Sequence, residues 1–173
     1  MKEIRWHARA GQGAKTASQL FAEAMLKAGK CVQAFPEYGP ERRGAPMRAY
    51  TRVDDRPIRR HDAVTSPDVV VVLEPSLLRE IDVLEGLAPG GLVLLNSDEP
   101  AGLEGHVVCV PAARIAAAGG SKFVNVVMVG ALAAALGDPP LETLEDAAAG
   151  LLGGKVPPES VRGAVREGYA CLS

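Results

Sequence analysis

Two rhythms of apolar residues alternate along the chain. Short runs of strand-forming residues, bounded by Gly, Pro and Asp, predict strands over 3–8, 31–35, 47–53, 69–73, 92–95 and 107–110. Between the first two, Ala17, Leu20, Phe21, Ala24, Met25 and Ala28 recur at the i, i+3, i+4 spacing of a helix with one buried face. Thr16 with Gln19 fits a capping box at its start, and Gly29 fits the stop. Alternation in 47–53 puts Arg48 and Arg52 on one face with Tyr50. Val69 to Leu73 is apolar at every position, as expected of a strand covered on both sides. Leu77 to Leu84 reads as helical, as do 123–136, 141–152 and 159–169. Phe123 to Leu136 is apolar almost all round, apart from Asn125. A membrane span needs about 20 such residues, so this segment reads as a buried helix, in the domain's core or against a partner.

Strands separated by helices, several of them uniformly apolar, predict one α/β domain over 1–173: an open three-layer α/β/α arrangement around a mostly parallel sheet. Ligands of such sheets gather at the carboxyl ends of the strands, and the glycine turn after the first strand lies in that zone. Aromatic residues are only 4% of the chain, so the core must be built from Ala, Val and Leu. The charges are unevenly placed. Residues 1–60 hold 13 of the 19 Lys/Arg but 6 of the 21 Asp/Glu. Either this part faces something anionic (phosphate, an acidic partner, nucleic acid) or the two halves neutralise each other within the fold. Cys31, Cys109 and Cys171 are isolated from one another, and His7, His61 and His106 lack metal-ligand spacing, so the chain is not expected to hold a cluster or zinc by itself. The first strand leads directly into a glycine turn with no secretory signal, and a reducing, cytoplasmic setting is expected.

Two stretches carry binding chemistry. Gly11-Gln12-Gly13-Ala14-Lys15-Thr16 is a strand–turn–helix junction where free N–H groups and the helix dipole favour an anion. Its GxGxxT spacing lacks the third glycine of the dinucleotide fingerprint and is not a Walker A loop; a tight turn before a well-capped helix explains it equally. Tyr38-Gly39-Pro40-Glu41-Arg42-Arg43-Gly44-Ala45-Pro46 is a stiff cationic loop whose adjacent arginines suit bidentate phosphate contact; a solvated face with Glu37, Glu41, Asp54 and Asp55 as counterions is the alternative. Glu74, after the fourth strand, stands where α/β sheets bind ligands or serves as the charge at a helix start. Asn125, if buried, needs a partner, within the fold or across a subunit contact.

The segments GQGAKTAS, YGPERRGAPMRAYTRV, PDVVVVLEPSLL and SKFVNVVMVGALAAALG together resemble the gamma subunit of pyruvate or 2-oxoisovalerate ferredoxin oxidoreductases, over residues 3 to about 137. The resemblance implies a heteromeric enzyme that oxidatively decarboxylates a 2-oxoacid, transfers the acyl group to coenzyme A and passes electrons to ferredoxin. It implies alpha, beta and delta subunits as partners, which carry the thiamine diphosphate and iron–sulfur clusters, and neither nucleic acid nor a membrane. It assigns this chain no catalytic residue. Carried over position by position, it assigns coenzyme A binding to Gly11, Gln12, Gly13, Ala14 and Thr16, with Arg42 and Arg43. Two other readings stand beside it. One is a free-standing dinucleotide- or flavin-binding enzyme with Glu37 at a ribose. The other is a purely structural assembly subunit whose basic loop docks an acidic partner.

Overall fold

A computed structural model describes residues 1–37, 44–120 and 122–173. In chain order the elements are β1 (Lys2–Arg9), α1 (Ala14–Lys27), β2 (Cys31–Pro36), β3 (Pro46–Asp54), β4 (Val69–Val72), a 3-10 helix (Pro75–Arg79), β5 (Leu92–Leu95), β6 (His106–Cys109), α2 (Ala112–Ala118), α3 (Val124–Leu136), α4 (Leu141–Leu152) and α5 (Pro158–Ala170). The strands form one six-stranded sheet in the order β2-β3-β1-β4-β5-β6. β1, β4, β5 and β6 run parallel, while β3 is antiparallel to both β1 and β2. The expected α/β class holds, with a mostly parallel sheet.

One face of the sheet, through Ile4, Trp6, Ala8, Val69, Val71 and Leu94, packs into a single core with all five α-helices. Ala and Val dominate that core, which is how so few aromatics suffice. α3 lies within it: Val126 to Ala133 is buried without a break. α3 and α5 touch backbone to backbone, because a Cβ on Gly168 would sit 2.0 Å from the Val127 carbonyl oxygen. α1 ends as its glycine implied. Gly29, at φ +86°, donates to Leu26 O, and Lys30 N–H donates to Met25 O, the paired bonds of a Schellman motif.

The other face has a thinner cover. Val70, Val72 and Leu95 pack against Leu77 and Val83. The expected helix over Leu77–Leu84 forms only as the 3-10 turn Pro75–Arg79. Beyond it the chain leaves the helical path: Asp82 Oδ1 accepts Leu84 N–H, and Gly86 turns at φ +71°. Towards β3 this face is polar yet buried. Arg52, wholly inaccessible, donates to Glu3 at 2.7 Å and to the Asp62 carbonyl at 2.8 Å. Arg5 donates to the carbonyls of Val83 and Glu85 and, through Nε, to His7 Nε2. These two guanidinium groups fasten the 55–67 and 80–88 segments over the sheet. Among the described residues no helix is long and apolar enough to cross a membrane.

Candidate functional site

The chain leaves β1 towards β3 and β2 on one side and leaves β4 towards β5 and β6 on the other, so the sheet has its switch point between β1 and β4. A cleft of about 500 Å³ lies at that point, lined by Gly11, Gln12 and Gly13 after β1, Leu73 and Glu74 after β4, Asn96 after β5, Ala113 at the start of α2, and Lys122, Val124 and Asn125 at the start of α3. Gly11 and Gly13 both hold positive φ, +96° and +83°, which suits glycine at this turn. Helix α1 starts at Ala14 with Gly13 as its cap and without a side-chain cap bond. The capping box expected from Thr16 and Gln19 therefore does not form: Thr16 already lies inside the first turn, where a side chain cannot cap. Ala17 N–H is the first to take a helical acceptor, Gly13 O, so the N–H groups of Ala14, Lys15 and Thr16 stay available at the turn.

Amides hold the cleft's walls. Asn125 Nδ2 donates to Gly13 O at 3.3 Å, which joins the starts of α1 and α3; the partner its burial called for is inside the fold. Asn96 donates to Leu73 O and accepts from Ala113 N–H. Gln12 accepts from Arg9 N–H at 2.7 Å and donates to Glu74 Oε2 at 2.7 Å, while Glu74 Oε1 accepts Ser76 N–H at 3.1 Å. Glu74 thus caps the 3-10 helix and borders the cleft at once. Burial pushes its carboxyl up, but the hydrogen bonds from Gln12 and Ser76 outweigh that and hold it below its ordinary range.

Of the residues singled out in sequence, Gly11, Gln12 and Gly13 line the cleft, Ala14 is buried beneath them, and Thr16 sits half-buried in the first helical turn. Arg42 and Arg43 lie outside the described residues. The stem of their loop is described: Ala10 N–H donates to Ala45 O at 2.9 Å, and Arg9 donates to Gly44 O at 3.1 Å, so the stem is bonded to the turn itself. Glu37 does not occupy a ribose-reading place. It follows β2, with β3 between that strand and β1, and it accepts the Tyr50 hydroxyl at 2.5 Å. Burial and that hydrogen bond push the Tyr50 hydroxyl up to about 12. Asn96 and Lys122 were not anticipated, since nothing in a lone Asn or Lys at a strand end or helix start marks it. Among the described residues no three His, Cys, Asp or Glu side chains come together in a way that could hold a metal ion.

Residues 3–171 match the family model described as pyruvate ferredoxin/flavodoxin oxidoreductase. The chain belongs to the pyruvate ferredoxin/flavodoxin oxidoreductase family. The common gamma subunit of the pyruvate/ketoisovalerate oxidoreductases of Thermococcus kodakarensis is 47% identical over 156 residues, 85% of this chain and 84% of that one. The crystal structure of pyruvate oxidoreductase subunit PORC from Thermotoga maritima superposes with a TM-score of 0.82 at 41% identity, covering 98% of this chain and 95% of that one. Within the family this chain is accordingly a gamma-type subunit of the pyruvate/ketoisovalerate oxidoreductases. The match runs past residue 137, where the sequence resemblance stopped, and takes in α4 and α5. The same fold occurs in the 2-oxoglutarate:ferredoxin oxidoreductase of Magnetococcus marinus, a structure with 2-oxoglutarate, coenzyme A and succinyl-CoA bound; there the TM-score is 0.74 at 20% identity, over 99% of this chain and 31% of that one.

Proposed function

We propose that this gamma-type subunit serves a coenzyme A-dependent 2-oxoacid:ferredoxin oxidoreductase by holding phosphate groups of coenzyme A at its glycine turn. The observation that carries the reading is a convergence at one end of the sheet: the unpartnered N–H groups of α1's first turn, Lys122 on the rim, and a basic loop whose stem is bonded to the same turn. Backbone N–H groups and the helix dipole favour an anion there. The cleft, at about 500 Å³, is in the range of small-molecule sites and has room for a nucleotide. Arg42 and Arg43 would add planar, bidentate donors suited to phosphate.

In this reading the partner alpha, beta and delta subunits supply thiamine diphosphate and the iron–sulfur clusters, and so carry out the decarboxylation and the electron transfer to ferredoxin. This chain binds and orients the acyl acceptor. Each charge-assisted contact to phosphate contributes about 1.5–3 kcal/mol. The double variant Arg42→Ala/Arg43→Ala, in an intact complex, should therefore raise the KM for coenzyme A at least tenfold and leave the KM for the 2-oxoacid alone. An unchanged KM for coenzyme A would count against the reading. If the variant instead loosened a salt-sensitive association with the other subunits at constant KM, the loop would be a docking element.

A further inference from the structure

At the edge of the sheet opposite β6, β2 is bonded on one side only. One bond sets the phase of its ladder. Glu37, next after β2, donates its N–H to Arg48 O at 2.9 Å, in the register that pairs Pro36 with Ala49. Antiparallel pairs alternate, so Cys31, Gln33 and Phe35 exchange bonds with β3, and the N–H and C=O groups of Val32 and Ala34 point away from it. Among the described residues those outward groups have no hydrogen-bond partner. Pro36, at the next outward position, has no N–H to offer. Proteins usually guard such an edge with charged side chains. Here none of the 6 residues of Cys31–Pro36 is charged, and each is half-buried.

A cationic strap runs beside this edge. Gln33 Nε2 reaches Ile58 O at 3.5 Å, and the inaccessible Arg52 donates to Asp62 O at 2.8 Å. The 55–62 segment is thereby held over β2 and β3 although it has no regular structure. The acids around it are taken: Glu3 by Arg52, Asp54 by the Met1 amino group, Asp55 by Lys30 and Asp62 by Arg60. The exposed guanidinium groups of Arg56 and Arg59, on either side of Ile58, have no carboxylate among the described residues. We propose that an extended, acidic segment of another subunit of the oxidoreductase adds to the sheet along β2, its main chain paired with Val32 and Ala34 and its carboxylates facing Arg56 and Arg59. An edge of alternating donors and acceptors is matched by a polypeptide main chain and not by a phosphate backbone. A second copy of this chain fits less well, because pairing β2 with β2 about a two-fold axis sets the like charges of two straps side by side. The inference is independent of the coenzyme A reading: Val32 is level with Val53 and so with Lys2, at the end of β1 away from the glycine turn.

The test uses the assembled oxidoreductase and reads main chain and charge separately. Amide hydrogen exchange on the unmodified complex, resolved residue by residue, should find Val32 and Ala34 as slow as Cys31, Gln33 and Phe35, which β3 protects. Val32 and Ala34 exchanging as fast as exposed loop amides would overturn the proposal. For the charges, Arg59→Lys puts an amine on the strap, and a zero-length carbodiimide then joins it to any carboxylate in contact. Mass spectrometry should find position 59 linked to an Asp or Glu of another subunit. No link, a link only within this chain, or a link to a second copy of it would each overturn the proposal. Arg56→Glu/Arg59→Glu changes only exposed side chains, so the chain should still fold. It should lower the salt concentration at which this chain leaves the complex by about twofold or more. Release at the same salt as the unmodified complex would remove the acidic partner from the account.

Discussion

A methyl group on Gly13 would stand 2.5 Å from Asn125 Nδ2 and would have to tolerate φ +83°. The left-handed conformation alone costs a non-glycine residue about 1–2 kcal/mol. Gly13→Ala should thus lower the stability of the chain by at least that much in urea unfolding. It should also weaken coenzyme A binding more than Gly11→Ala, whose Cβ meets nothing within 4 Å among the described residues. His7 gives a second residue-scale expectation. Burial first, then the Arg5 and Arg48 charges, push its imidazole down to about 3 from 6.5. Its Nε2 accepts from Arg5, which puts the ring proton on Nδ1, a buried atom with no partner among the described residues. The native state holds this ring neutral while the unfolded chain protonates it. Stability from His7 is therefore complete above pH 6.5 and is lost as pH falls towards 3, by up to about 1.4 kcal/mol per pH unit. His7→Gln, which keeps an acceptor for Arg5, should flatten that part of the stability–pH curve. An unchanged slope between pH 6 and about pH 4 would contradict the assignment.

Between elements, the α3–α5 crossing depends on glycine. A Cβ on Gly168 or Gly130 would meet partner-helix carbonyl oxygens at 2.0 and 2.3 Å. Either alanine variant must separate the helices, at a cost of about 1–3 kcal/mol, visible as a lowered Tm. Most elements were legible from periodicity: all six strands, and α1, α3, α4 and α5, stand close to where the apolar spacing predicts them. α2 was not, because seven mostly small residues between turns carry no clear period. The partnership of β1 with β3 was not legible either. Pairing is a long-range outcome, and the sequence shows only that a loop joins β2 to β3. The place of β3 between β2 and β1 is what keeps Glu37 away from the site. Glu3, Arg5 and His7 alternate with Ile4 and Trp6 as an open sheet face would, yet they are buried, because Arg5 and Arg52 draw distant carbonyls over them.

At the scale of the whole molecule, the excess of basic residues in 1–60 is partly used up within the fold. Arg5 and Arg52 are interior, Arg9 pairs with Glu80, and Lys30 pairs with Asp55. At the carboxyl end of β1 the glycine turn and the stem of the basic loop lie together, with Lys122 on the rim of the cleft. This end of the sheet is accordingly where the chain should meet its ligand in the complex. The most direct measurement is a crystal or cryo-EM structure of the assembled oxidoreductase with coenzyme A bound. The account predicts phosphate oxygens within hydrogen-bonding distance of the N–H groups of Ala14 to Thr16 and of at least one of Arg42 and Arg43. Coenzyme A seated on other surfaces, with nothing bound against Gly13, would contradict it.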